Sequence, residues 1–132
     1  MKDVLVYHNP DAMGYPASEV KEPVIVTNKR VGEDAKGDRI WLITGEGRPR
    51  RYFLRGWFTV SEVVSGEDDG FRTQVSGSKA HFFRPMREIS DEVWLPDFRR
   101  SQGNFAFGYQ VIGQPRFVRG LEKAAGIPPK AT

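Results

Sequence analysis

Between Arg51 and Val64 the chain changes side-chain character at every step, with Leu54, Gly56, Phe58 and Val60 in one series and Arg55, Trp57, Thr59 and Ser61 in the other. A period of two is the repeat of an extended strand, whose successive side chains point to opposite faces. A helix would scatter both series around its axis, so this stretch commits the chain to a sheet. One series is apolar and the other mixed, which predicts an antiparallel strand with one face on a core. Glu67-Asp68-Asp69-Gly70 then carries an Asp-Gly hairpin signal, and Phe71 to Val75 is expected to return antiparallel.

Shorter runs of the same kind recur, each closed by turn formers. Val4-Leu5-Val6-Tyr7 stops at His8-Asn9-Pro10-Asp11, and Val24-Ile25-Val26-Thr27 stops at Asn28-Lys29-Arg30. Ile40-Trp41-Leu42-Ile43-Thr44 leaves a Lys36-Gly37-Asp38-Arg39 turn and ends at Gly45-Glu46-Gly47. A strand over Ala80 to Phe83 is expected to stop at Pro85, and Phe105, Phe107 and Tyr109 alternate with small residues as a closing strand that reaches Ile112. Ser18 to Lys21 fits one helical turn. Ser90-Asp91-Glu92 is placed to cap a short helix ahead of Pro96.

Pro115 suits the first turn of a terminal helix with Phe117, Val118, Leu121, Ala124 and Ala125 on one face, which Gly126 and Pro128-Pro129 end. Gly120 within it costs about 1 kcal/mol relative to alanine, so it marks close packing, expected against the sheet. The result is an α+β chain dominated by strands: a small, mostly antiparallel β-barrel with peripheral helices and a C-terminal helix. Its 132 residues suit one domain, read as residues 1–126 with a linker-like tail at 127–132.

Composition removes several kinds of chemistry. With no cysteine, disulfide scaffolds, thiol catalysis and zinc ribbons are excluded. His8 and His81 stand far apart with no metal-ligand spacing, and no G-x-S-x-G elbow or phosphate-cradling glycine motif occurs. The expectation is a protein that is not an enzyme and uses neither metal nor cofactor. No apolar run approaches the roughly 20 residues that span a bilayer, and no signal-peptide pattern opens the chain, so a soluble, cytoplasmic protein without membrane contact is expected.

Charge points toward an anionic partner. The net charge is only +3, but arginine outnumbers lysine 13 to 7, and arginine is the better residue for bidentate phosphate and base contacts. Four arginines and no acid lie between Arg48 and Arg55, interleaved with Tyr52, Phe53 and Trp57. That combination grips phosphates and stacks on unpaired bases; the structural reading is a strand with a basic outer face, favoured for Tyr52 and Phe53. Trp41 has opposite parity to Ile40 and Leu42, so it lies in an outer mouth or beneath a helix. Tyr7, His8, Asn9 and Tyr15 surround the end of the first strand, and Arg99-Arg100-Ser101-Gln102-Gly103-Asn104 brings two cations and three base-reading side chains.

Taken in order, these segments resemble the EVE branch of the PUA-like superfamily. Tyr7-His8-Asn9-Pro10 is similar to that family's polar-then-proline strand ending, and Gly37-Asp38-Arg39-Ile40-Trp41-Leu42 resembles its Gly-Asp turn into an apolar strand. Gly56 with Ser61-Glu62-Val63-Val64 resembles the strand that follows, and Arg99 through Ile112 with the terminal helix resembles the family's closing strand and helix. Ile43-Thr44-Gly45 and the arginine-rich Arg48 to Arg51 depart from the pattern. The resemblance implies a pocket for a flipped base, plain or modified, in DNA or RNA, since the superfamily includes readers of modified bases, and association with a nuclease domain.

The sequence therefore reads as a non-catalytic nucleic-acid module. Arg51, Arg55, Arg99 and Arg100 are assigned to the backbone, and Tyr7, His8, Asn9, Tyr15, Trp41, Trp57, Ser101, Gln102 and Asn104 to the base pocket. The alternative is a barrel that binds a small molecule or peptide through a mouth containing Trp41 and Trp57. A third, weaker reading is a hydrolase using His8 or His81 with a neighbouring acid.

Overall fold

The computed structural model describes residues 1–65, 73–106 and 108–128. Phe107, the acidic hairpin tip and the last four residues lie outside them. Among the described residues, seven strands form one mixed sheet: β1 (Asp3–His8), β2 (Val24–Thr27), β3 (Arg39–Glu46), β4 (Arg51–Ser65), β5 (Thr73–Gly77), β6 (His81–Glu88) and β7 (Gln110–Val111). Their order is β2-β5-β4-β3-β1-β7, with β6 also on β4. Only β1 and β3 run parallel, with Val4 opposite Ile40 and His8 opposite Thr44. The helices are α1 (Pro10–Met13), α2 (Leu95–Ser101) and α3 (Pro115–Ala124). The expected α+β class, mostly antiparallel sheet and C-terminal helix are all present.

Both faces of the sheet are covered. Leu5, Trp41, Ile43 and Leu54 pack beneath Leu95 and Phe98 of α2 and Phe117 and Leu121 of α3. Val4, Val6, Ile40, Leu42, Phe58 and Val60 face the other way, where the sheet curls so that Ile25 of β2, Val75 of β5 and Tyr109 close over them. The free ends of the curl approach each other without pairing in a ladder, and Lys29 Nζ donates to the Tyr109 carbonyl across the gap at 2.7 Å. The Tyr109 phenol, buried there and facing Asp38 and Asp34, is pushed up to about 12.

Alternation along β4 does not put its apolar series on a single face. The β3–β4 register passes from Leu42 opposite Gly56 to Ile43 opposite Leu54, so Arg55 is the extra residue of a bulge. Leu54 consequently packs under the helices, whereas Phe58, four residues on, lies inside the curl. The bulge also turns Arg55 inward. It is 1% exposed, donates from Nε and Nη2 to the Val20 carbonyl at 3.2 and 2.7 Å and from Nη1 to the Phe83 carbonyl at 2.8 Å, and lies over the Phe82 ring. Its expected contact with a nucleic-acid backbone is therefore corrected: Arg55 is a core residue.

Three further expectations change. Pro96 does not stop a helix; it opens α2, because a residue without an N–H fits the first turn. The closing aromatic strand is reduced to the two residues of β7. Gly103, Asn104 and Phe105 have φ of 60°, 55° and 63°, a left-handed sequence that no strand contains. Pro85, in turn, does not end β6, which pairs with β4 alone and tolerates a residue that cannot donate.

Gly120 does mark a close approach, but to Trp94 rather than to the sheet: a methyl group there would sit 2.6 Å from the indole Nε1 and Cε2. Gly120→Ala is expected to lower stability by about 1–2 kcal/mol, the overlap outweighing alanine's helix preference. Urea midpoints of the single variant and of Gly120→Ala in a Trp94→Ala background check this, because the cost should vanish in the second.

Candidate functional site

The first strand ends where the sequence placed it, and two groups of side chains meet there on opposite faces. On one, His8 Nε2 donates to the Tyr15 carbonyl at 2.8 Å, which fixes the proton on that nitrogen, and its ring lies 5.1 Å from that of Tyr15. The Thr44 hydroxyl donates to the His8 carbonyl at 2.7 Å. Asn9 Oδ1 accepts from the Asp11 and Ala12 amides at 3.0 and 3.4 Å and so caps α1. His8 is thus buried and engaged, Asn9 has a structural task, and Tyr15 is exposed.

On the other face Tyr7 stacks on Phe105 at 5.5 Å, and Phe105 meets Tyr52 and Phe98 edge-on at 5.8 and 5.5 Å. The left-handed turn at Gly103 to Phe105 is what swings Phe105 back into this group; for a phenylalanine that geometry costs on the order of 1–2 kcal/mol and is the kind of strain that collects at working sites. Gly45 allows the other close approach, since a methyl group there would overlap the Tyr7 hydroxyl and lie 2.8 Å from Arg50 Cδ. Burial raises the Tyr7 phenol above its ordinary value, with the charge of Arg50 pulling the other way.

Arg99 completes the group, its guanidinium 4.7 Å above the Tyr52 ring. Arg99 Nε and Gln102 Oε1 are buried, and neither has a hydrogen-bond partner among the described residues. Arg99 lies in the last turn of α2 and Gln102 caps its C-terminus, so a buried donor and a buried acceptor are left unpaired at one helix end. Each such group costs about 1–3 kcal/mol while unmet. Ser101 donates instead to the Phe98 carbonyl at 2.9 Å, and Asn104 is exposed at the turn.

Arg51 and Arg100 lie on the surface in ion pairs. Arg51 bonds Glu88, holding that carboxyl below its ordinary value, and reaches Asp91 at 3.6 Å; Arg100 does the same for Asp97. Exposed pairs of this kind contribute about 0–1 kcal/mol.

Trp41 and Trp57 belong elsewhere. Trp41 is fully buried under the helices and donates from Nε1 to Asp3 Oδ1 at 2.9 Å, at the opposite end of β1 from Tyr7. Trp57 is its partner across the ladder, covered in turn by His81 at 3.9 Å and 7° between planes. Neither opens into a mouth, which corrects their place in the base pocket. His81, whose imidazole is held below its ordinary value by burial and by Lys79, is occupied by that stack.

No protein-family model matches the chain, nor does any curated protein. The chain is similar in structure to the human THYN1 protein. That protein was solved in complex with DNA containing 5-methylcytosine, and the likeness spans 94% of this chain and 98% of THYN1 at 8% identity with a TM-score of 0.47. Among the described residues, no cluster of three or more His, Cys, Asp or Glu side chains could hold a metal ion, and no helix is long and apolar enough to cross a membrane.

Sequence reasoning named Tyr7, Arg99 and Gln102, which the fold brings together, favoured a structural role for Tyr52 and placed Phe105 on a closing strand. It did not single out Arg50 or Gly45. The only available signal was the parity of Gly45 with Ile43, which places a gap beside Tyr7 in a parallel neighbour.

Proposed function

We propose that this chain is a non-catalytic nucleic-acid reader in which Tyr7, Tyr52 and Phe105 back a base drawn from its stack, with Arg99 and Gln102 contacting its edge. The observation that carries this reading is the unpaired Arg99 Nε and Gln102 Oε1 beside those rings. A donor and an acceptor at the same helix end match the mixed edge of a base, which would relieve both. The resemblance of Tyr7-His8-Asn9-Pro10 and of the segment from Arg99 to the EVE pattern supports the same reading, and a modified base is the variant it favours. Arg51 and Arg100 would then meet phosphates, giving up exposed ion pairs.

The test is fluorescence anisotropy against plain and base-modified oligonucleotides, single- and double-stranded, over a range of salt. Binding is expected to weaken as salt rises, and Arg99→Ala and Gln102→Ala are each expected to weaken it about 10- to 100-fold, the equivalent of one stacking or base-edge contact. Arg100→Ala should instead lower the salt slope with little change in base preference. No binding at low salt would overturn the proposal.

A further inference from the structure

A recess lies at the opposite end of β1 from Tyr7, between β7, α3 and the residues that follow it, with a volume of ≈ 940 Å³. Val111, Ile112, Pro115, Val118, Ile127 and Pro128 give it an aliphatic wall, and Val111 is 48% exposed on an edge strand that pairs only with β1. The carboxylates in the lining are committed: Asp3 and Glu122 both bind Arg39, at 2.7 and 3.0 Å. Lys2, Arg119 and Lys123 also line the recess, and they form no ion pair among the described residues. Arg119 and Lys123, four residues apart on α3, stand one helical turn from each other. The recess is therefore an aliphatic groove with uncompensated positive charge along its rim.

We propose that this groove docks an acidic, aliphatic-rich peptide segment of a partner protein. Charge complementarity selects the sign of the occupant, and the wall selects its side chains. A nucleic acid suits the rim but not the wall, because among the described residues no aromatic side chain lines the groove, and unpaired bases need a stacking platform. A lone inorganic anion would meet the cations and leave the aliphatic wall uncovered.

The probe is a labelled synthetic peptide of about 12 residues in which glutamate and leucine alternate, titrated into the full chain by anisotropy. Saturable binding that weakens with salt is expected, reduced about tenfold or more in Arg119→Glu/Lys123→Glu and several-fold in Val111→Ser. Circular dichroism verifies that both surface variants fold. Arg99→Ala, at the other end of β1, should leave peptide binding unchanged, which separates this site from the base-reading one. Equal affinity for a peptide with serine in place of leucine would overturn the proposal by reducing it to bulk charge. So would loss of oligonucleotide binding in Arg119→Glu/Lys123→Glu with peptide binding retained, or concentration-dependent self-association abolished by that variant, since the groove would then belong to nucleic acid or to a second copy.

Discussion

Arg55→Leu is expected to destabilise the protein by about 3–5 kcal/mol, a large share of the 5–15 kcal/mol that holds a typical domain together. Leucine replaces much of the hydrocarbon stem but none of the three donors, so the part-buried Val20 and Phe83 carbonyls lose their partners. The guanidinium has no carboxylate beside it among the described residues; burial, with Arg84 nearby, moves its pKa down rather than up. Its charge is thus tolerated for the sake of the fork that ties the segment before β2 to β6. Arg55→Lys keeps the charge but cannot span both carbonyls with a planar fork, and about 2 kcal/mol is expected to be lost. Denaturation midpoints followed by tryptophan fluorescence measure both. The lysine variant also tests the site assignment: while folded, its oligonucleotide affinity and salt slope should equal those of the parent. A reduced slope would return Arg55 to the phosphate contacts.

That residue shows where sequence reading reached its limit. Alternation identifies a strand without reporting a bulge, and one extra residue reverses every assignment of face beyond it. Leu54 and Phe58 therefore share parity and belong to different cores. The same reasoning explains the tryptophans: parity alone allowed Trp41 either an open mouth or a place beneath a helix. The parallel register sets Trp41 opposite Leu5 and Ile43 opposite Tyr7, so Trp41 lies about 7 Å short of the strand end where the site forms. By contrast, β1, β2, β3 and α3 were legible because their apolar period and their Asn, Gly and Pro boundaries agree. Around Phe105 they conflict. The aromatic spacing says strand, while Gly103 and Asn104 permit a left-handed turn that the spacing does not reveal, and tertiary packing against Tyr7 and Tyr52 decides in favour of the turn.

Gly56→Ala is the second large effect, expected to exceed about 3 kcal/mol and to detach β6 from the sheet. A methyl group at position 56 would lie 2.7 Å from Phe82 Cα and closer still to the His81 carbonyl oxygen, and φ there is +154°. Two of the three nearest obstructing atoms are backbone on the opposite strand, where Gly56 pairs with Phe82, so no rotamer change makes room. Gly14 and Gly37 provide the control: both have positive φ, at +83° and +93°, with nothing within 4 Å, and alanine there should cost only about 1 kcal/mol of backbone strain. In Gly56→Ala the amides of β6 should exchange with solvent as an early-opening unit, and the near-ultraviolet dichroism arising from the Trp57–His81 stack should be lost with them. A variant within 1 kcal/mol of the parent, with β6 still protected, would mean that the bulge at Arg55 relaxes when it is pressed. The inward turn of that arginine would then not depend on the glycine that follows it.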